Sequence, residues 1–359
     1  MLKIRKFFLK QQTVFVTIIA VVMAFVVVGL LLAGTGRNPF NAVYYFVRGS
    51  FGNFFNTADT ISRVVPLTIA GIAFLVGAQC AVFNVGVEGQ LLLGALASAI
   101  VGFAVKLPAV IHLPLMLLAG ALAGGLYGLI PAWLKTKRGV NEILSTIMLN
   151  YPATYLTHFL TVKVLPVEGV VPATPFIEET AKLPTLLAGT RLHAGVFVML
   201  LVIIFAYILL YKTSLGYEMR AVGFNQTAAR FHGIPVEKRM VLSFFLSGAL
   251  AGLAGAVEVA GVHYRFLDQF SPGYGYDSIT VALVGLLNPF GVLISATLFG
   301  ALKTGILEMS VYSGIPRQLV TLINGIVVLF VAAKDILLTG YLRIFRGKDT
   351  VEAEKEVSQ

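Results

Sequence analysis

The sequence predicts an all-α, polytopic membrane protein of about ten transmembrane helices, one of them short and broken, with both termini in the cytoplasm. Of its 359 residues, 57% are hydrophobic and 12% are charged, and the mean hydropathy is +0.87. Soluble domains hold roughly 25% charged residues, and most uncharged runs here reach the about 20 residues that cross a bilayer. These observations exclude a soluble enzyme, a disordered chain and a nucleic-acid-binding protein.

The apolar runs predict ten helices in order along the chain. Their approximate ranges are 13–34, 62–82, 89–105, 109–134, 141–160, 193–212, 239–260, 277–287, 290–308 and 317–337. The first is longer than the apolar region of a signal peptide, so we expect it to remain as the first membrane helix. The eighth is too short to cross unaided, because Asn288-Pro289 ends it. Short broken segments often line the solute path of a transporter.

The distribution of basic residues orients the chain in the membrane. With both termini inside, 17 of the 27 Lys and Arg residues fall in predicted cytoplasmic segments and nine in external ones, as the positive-inside rule expects. This rule also explains the net charge of +10 without nucleic acid. The predicted regions are a cytoplasmic N-terminus at 1–12, a transmembrane domain at 13–340 with a cytoplasmic loop at 213–238, a cytoplasmic tail at 341–359, and long external segments at 35–61 and 161–192.

Sequence motifs for catalysis and for ATP binding are missing. No Gly-x-x-x-x-Gly-Lys-Ser/Thr phosphate loop occurs, so we expect no cofactor on this chain. The five histidines lack the spacing of a metal site on one helix face, and no metal is expected. What remains is a many-helix membrane body with a few internal polar residues, a pattern typical of a transport subunit rather than an enzyme.

Several polar residues lie in or beside the predicted helices, where they face the bundle interior or a wet path. Glu142, Ser145 and Asn150 approximate one stripe of a helix, for which helix-to-helix hydrogen bonding and a pathway role are equally consistent. Glu88 and Asp277 each also fit a simpler role beside a helix N-terminus. The candidate pathway residues are Asn84, Glu88, Asn141, Glu142, Ser145, Asn150, Tyr274, Tyr276, Asp277 and Asn288.

The large inside loop predicts a short helix from Asn225 to Phe231. Asn225 is a candidate N-cap and Gly233 a terminator, and small residues provide a close-packing face. Such a helix suits docking into a groove on a soluble partner, and a solvated surface helix is the simpler alternative. The candidate docking residues are Arg220, Gly223, Asn225, Ala228, Ala229, Arg230 and Gly233.

Four motifs together resemble the permeases of ABC importers in the ribose/branched-chain amino acid class, and more narrowly the nucleoside (simple sugar-like) permeases. They are Asn-x-Gly-x-Glu-Gly-Gln-x-x-x-Gly at 84–94, Gly-x-Asn-Glu-x-x-Ser-Thr-Ile-Met-Leu-Asn-Tyr at 139–151, Gly-x-x-x-Arg-Ala-x-Gly-x-Asn-x-x-Ala-Ala-Arg at 216–230, and Gly-x-Gly-x-Asp-x-Ile-x-Val-Ala-Leu at 273–283. The resemblance extends over roughly 60–340.

The resemblance implies a permease subunit in the bacterial cytoplasmic (inner) membrane that imports nucleosides by alternating access. It implies three protein partners: a second homologous permease, an ABC ATPase with two fused nucleotide-binding domains that uses ATP-Mg, and an extracytoplasmic substrate-binding lipoprotein. Membrane lipid surrounds the chain. The 225–233 segment would be the coupling helix seated in the ATPase groove.

Three alternatives to a nucleoside importer stay open. The same class could import a sugar or a branched-chain amino acid. An ion-coupled secondary transporter would need a coupling site inside the membrane, for which Glu142, Glu258 and Asp277 are the candidates, with Lys303 as a partner. An integral-membrane enzyme is the least supported, because no catalytic constellation is present.

Overall fold

The computed structural model describes residues 38–312 except positions 166, 168 and 170, with isolated positions between 23 and 34 and between 322 and 329. The first and last predicted helices lie largely outside the described residues, and both predicted termini lie wholly outside them. Within the described part the chain is helical, and its β-type pairing consists of two isolated bridges. The all-α prediction is therefore confirmed.

Eleven α-helices are described in this part of the chain. They are α1 (Pro39–Phe51), α2 (Phe54–Ala78), α3 (Val87–Ala104), α4 (Ala109–Arg138), α5 (Glu142–Phe159), α6 (Gly195–Lys212), α7 (Ser214–Phe224), α8 (Gln226–Phe231), α9 (Val236–Glu258), α10 (Tyr274–Val284) and α11 (Pro289–Tyr312). Single π-helical turns continue α5 at Leu160–Val164 and α9 at Val259–His263, and a 3-10 turn lies at Glu179–Ala181.

Six of the described helices are long and apolar enough to cross a membrane: α2, α3, α4, α6, α9 with its π turn, and α11. Each overlaps a predicted membrane helix, so the chain is an integral membrane protein. Helix α5 has 18 residues and matches the prediction at 141–160, but it is not among the six. The total of about ten helices stays a prediction.

The segment 35–61, predicted as an external connection, is mostly helical in its described part. It holds α1 and the first turns of α2, which begins at Phe54 rather than near residue 62. The predicted start was wrong because the prediction followed the uncharged run that comes after Asp59 and Arg63. In the structure they form an i,i+4 ion pair at 3.3 Å on the helix surface, so the helix continues through them.

The short broken helix predicted at 277–287 is α10. Its 11 residues extend about 16 Å at 1.5 Å per residue, roughly half of the hydrocarbon thickness. The helix ends at Val284, before the predicted end, and Leu286 and Leu287 have φ angles of 57° and 49°. Branched side chains rarely adopt this left-handed backbone, so the turn before Pro289 is a strained feature.

Helices α4 and α9 meet along a seam of glycines. A Cβ added to Gly252 would lie 2.1 Å from the carbonyl oxygen of Gly120, and one added to Gly124 would lie 2.3 Å from that of Gly248. Both helices carry the Gly-x-x-x-Gly spacing that lets membrane helices approach backbone to backbone. Only glycine fits at these positions, and the seam holds the middle of α9 against α4.

Two compact units divide the described chain. The larger one covers residues 51–304. The smaller one holds the described residues up to 50 and from 305 onward. Inside the smaller unit, Arg48 forms an ion pair with Glu308 at 3.5 Å.

Candidate functional site

The connection between α2 and α3 is fixed by the buried side chain of Asn84. Its Nδ2 donates to Oε1 of Gln90 at 2.8 Å and to Oγ of Ser247 at 2.9 Å, while its Oδ1 accepts from the Gly86 N–H at 3.0 Å. Ser247 lies on α9. The asparagine therefore joins the start of α3 to the glycine-lined face of α9.

Asn150 on α5 ties the same connection to two further helices. Its Oδ1 accepts from the Gly89 N–H at 2.9 Å, and its Nδ2 donates to the Val85 carbonyl at 3.1 Å and to the Tyr276 hydroxyl at 3.3 Å. The asparagine is 3% exposed. The predicted polar stripe of α5 is confirmed to face the bundle here, where Thr146 also accepts from the Val85 N–H.

Glu88 joins α3 to the first turn of α10. Its Oε2 accepts from the Gly275 N–H at 2.6 Å, and the side chain is buried. A carboxylate suits this place, because the free N–H groups of a helix start carry partial positive charge. A Cβ on Gly275 would lie 2.3 Å from the Glu88 backbone nitrogen, so glycine is required for the contact.

We call this cluster the polar hub: Asn84, Glu88, Gln90, Asn150, Gly275 and Tyr276. It brings together three sequence motifs that lie far apart in the chain. Beside it, the Lys303 amine lies 2.6 Å from Oδ2 of Asp277 and 5.6 Å from the ring centroid of Tyr274. The start of α10 is thus fixed by a carboxylate on one side and by an ion pair with α11 on the other.

The other predicted pathway residues lie outside the hub in local roles. Asn141 caps α5 by accepting from two backbone N–H groups, and Asn288 caps α11 in the same way. The Glu142 carboxylate lies 2.6 Å from the Lys135 amine, and the Ser145 hydroxyl donates to the Glu142 carbonyl. The predicted set is therefore not one cluster. Its role in a pathway stays a prediction.

The predicted short helix of the inside loop is α8. Asn225 caps it, since its Oδ1 accepts from the Ala228 N–H at 3.0 Å, and Gly233 follows with a φ of 77°. Both structural predictions are confirmed. Ala228 is exposed and Ala229 is buried, so only the first can contact a partner directly.

The segment around α8 is braced by its own charges. Arg230 pairs with Glu237, and Nε of Arg239 lies 2.5 Å from Oε2 of Glu218. The Arg220 guanidinium lies over the Tyr211 ring at 5.1 Å. The predicted docking arginines, Arg220 and Arg230, therefore each contact another residue of this chain.

Gly223 sets the position of α7, the helix before α8. A Cβ there would lie 2.3 Å from the carbonyl oxygen of Gln79, in the connection between α2 and α3. Any larger residue at this position would push the α7–α8 segment away from the connection that begins the polar hub.

Two exposed aromatic side chains flank α8, and the sequence interpretation missed both. Phe224 is 89% exposed and Phe231 is 87% exposed, which makes them the two most exposed large apolar side chains among the described residues. The motif pattern drew attention to the small and basic residues between them. Their position at both ends of a predicted docking helix was the signal available.

A family model described as "Branched-chain amino acid transport system / permease component" matches residues 56–332. The guanosine ABC transporter permease protein NupP of Bacillus subtilis is 37% identical over 328 residues, covering 89% of this chain and 92% of that protein. The glucose ABC transporter permease protein TsgB13 of Haloferax volcanii is 35% identical, covering 89% and 87%.

The nucleoside ABC transporter permease protein NupB of Lactococcus lactis is 30% identical, covering 91% of this chain and 93% of that protein. No solved structure matches the chain. The matches extend over the polar hub, α7, α8 and the membrane helices. The chain belongs to the family of branched-chain amino acid transport system permease components.

Proposed function

We propose that this chain is the permease subunit of an ATP-driven importer that moves nucleosides into a bacterial cell across the cytoplasmic membrane. The observation that carries the proposal is the 37% identity to a guanosine permease over nearly the whole of both chains. In the proposed complex a second permease, an ATPase with two fused nucleotide-binding domains and a substrate-binding lipoprotein complete the importer. ATP and Mg²⁺ belong to the ATPase.

The proposed coupling element is α8 with its flanking aromatic side chains. Phe224 and Phe231 are large enough to fill apolar pockets on an ATPase surface, and buried aromatic anchors supply most of the binding energy at such interfaces. An ion pair joins Arg230 of α8 to Glu237 of α9, and another joins Glu218 of α7 to Arg239 of α9. Closure of the ATPase subunits would then shift the helix bundle between its inward-open and outward-open states.

The coupling proposal is tested by alanine variants in the complete complex, reconstituted in liposomes with ATP inside. Phe231→Ala and Arg230→Ala should lower ATP-driven guanosine uptake about tenfold or more, as for interface anchors. Lys238→Ala, an exposed cation of the same segment, is the matched control and should keep wild-type uptake. Thermal unfolding of all variants should stay unchanged. Wild-type uptake by both α8 variants would contradict the coupling role.

A hexose is the second candidate cargo, because a relative with 35% identity is a glucose permease. Competition separates the two cargoes: unlabelled guanosine should abolish uptake of labelled guanosine, and glucose should not. An ion-coupled transporter would instead accumulate guanosine without any ATPase subunit when an ion gradient is imposed. Of its candidate carboxylates, Glu142 and Asp277 are paired with lysines in the structure.

A further inference from the structure

A cavity of about 200 Å³ lies inside the larger unit, and Tyr274, the residue before Gly275 of the polar hub, is part of its wall. Its walls come from the first part of α2, the end of α9 and the segments before α6 and α10. The residues that matter for its chemistry are Asp59, Ser62, Arg63, Arg191, Glu258 and Tyr274.

The cavity lies at the opposite end of α9 from the α7–α8 segment. Helix α9 has 23 residues, from Val236 to Glu258, and at 1.5 Å per residue its ends are about 33 Å apart. If α8 faces the cytoplasm, as the basic residues predict, the cavity is at the external end. A solute delivered from outside would meet it first.

Glu258 is the cavity residue that has a carboxylate oxygen without a hydrogen-bond partner among the described residues. Its side chain is 5% exposed, and its Oε2 atom is buried without a hydrogen-bond partner among the described residues. Its Oε1 lies 3.7 Å from Nε2 of His263, too far for a good hydrogen bond. Buried carboxylate oxygens are normally satisfied, so Glu258, which lines the cavity, has an unused acceptor atom.

The formal charges of the acidic and basic side chains that line the cavity sum to zero. Two carboxylates, Asp59 and Glu258, face two guanidinium groups, Arg63 and Arg191, and Asp59 pairs with Arg63 at 3.3 Å. A formally neutral site with both strong donors and strong acceptors suits an uncharged, polyhydroxylated ligand. A phosphorylated ligand would add negative charge that this neutral set of side chains does not balance.

Size and shape limit the ligand further. The volume is below the roughly 300–1,000 Å³ of pockets for drug-sized molecules, so the cavity holds a fragment of the size of a sugar ring. Tyr274 and Phe270 line it with aromatic surface, against which the C–H face of a sugar ring can pack. A vicinal diol can donate two hydrogen bonds to one carboxylate.

We propose that this cavity binds the ribosyl part of the transported nucleoside, with the Glu258 carboxylate accepting from its vicinal hydroxyl groups and Arg191 donating at the entrance. The proposal rests on the nucleoside import proposed above and gives this chain a cargo site of its own. The nucleobase then extends out of the cavity.

A thiol introduced into the cavity tests occupancy directly in the reconstituted complex. The protein's single cysteine, Cys80, is buried, and burial raises the pKa of its thiol to about 12, so it should not react. Val262→Cys places a thiol at a half-buried position of the cavity wall, and Ala188→Cys places one at an exposed position as the control. Reaction with a membrane-impermeant maleimide reports access to each.

Guanosine should slow labelling of the Val262→Cys thiol about tenfold or more and leave the Ala188→Cys thiol unaffected. Ribose should slow it at higher concentration, and guanosine monophosphate should not slow it. Equal protection by guanosine and guanosine monophosphate would overturn the neutral-ligand argument. Absence of guanosine protection in a complex that transports guanosine would overturn the site while leaving the proposed function intact.

A matched pair of carboxylate variants tests the role of Glu258. Glu258→Gln keeps the shape and removes the charge, and it should raise the guanosine concentration for half-protection about tenfold, as expected for a lost hydrogen bond to a charged group. Glu179→Gln, an exposed carboxylate near the same end of the bundle, should change it by less than about twofold. Equal guanosine concentrations for half-protection in the two variants would refute the proposed contact of Glu258 with the ribosyl hydroxyl groups. A wild-type complex that does not transport guanosine would refute the proposed function instead.

Discussion

Replacing Asn150 with alanine should destabilise the polar hub. The substitution leaves the buried Gly89 N–H and the Val85 carbonyl, which Asn150 contacts at 2.9 and 3.1 Å, without those partners. Each unsatisfied buried group costs about 1–3 kcal/mol, so the expected loss is about 2–6 kcal/mol. The third partner, the hydroxyl of Tyr276, belongs to a half-exposed side chain and can turn to another acceptor.

The matched comparison is Tyr276→Phe, which removes only that third contact and should cost less than about 1 kcal/mol. Both variants are measured as purified complexes by the loss of helical circular dichroism on heating. Asn150→Ala should unfold at a clearly lower temperature than Tyr276→Phe. If the two variants unfold at the same temperature, the bonds of Asn150 do not hold α3 against α5, and the description of the hub is wrong.

Three further predictions concern other contacts. Gly252→Val should abolish the peak of folded protein on size exclusion, because its side chain would overlap a backbone carbonyl of α4. Ala249→Val on the same helix is the control and should fold. Normal yields of folded protein for both variants would contradict the close contact of α4 and α9. Burial lowers the pKa of His193 from 6.5 to about 4. As the pH falls, the histidine is therefore protonated in the unfolded chain before it is protonated in the folded one. The free energy of unfolding should fall by about 2 kcal/mol between pH 7 and pH 5. His193→Asn should unfold with less dependence on pH, and an unchanged slope would refute this. Lys303→Met should lower the unfolding temperature by leaving Asp277 without its cation, and adding Asp277→Asn should restore part of the loss.

The sequence predicted the helices well where apolar runs were long. It placed α3, α4, α6, α9 and α11 within a few residues, because hydrophobic length is a strong constraint in a bilayer. The predicted start of α2 was wrong, because the helix begins at Phe54 and includes the ion pair of Asp59 and Arg63. The prediction also missed the helix α1.

The site was only partly predictable from the sequence. Local rules found the caps Asn225 and Gly233, since capping depends on neighbouring residues. They could not separate Asn150, which joins three segments, from Asn141, which only caps its own helix, because that difference depends on tertiary contacts. Glu258 was noted as a possible ion-coupling residue, and its cavity was not foreseen because α2 and α9 supply its walls from distant parts of the chain.

The glycine seam ties the motion of α9 to that of α4. Close contacts between the two helices extend along α9 from Phe244 to Ala256, and many of them involve backbone atoms. Sliding or tilting of one helix against the other would force these atoms together. A displacement of α9 beside α8 is therefore expected to carry α4 with it as one rigid body.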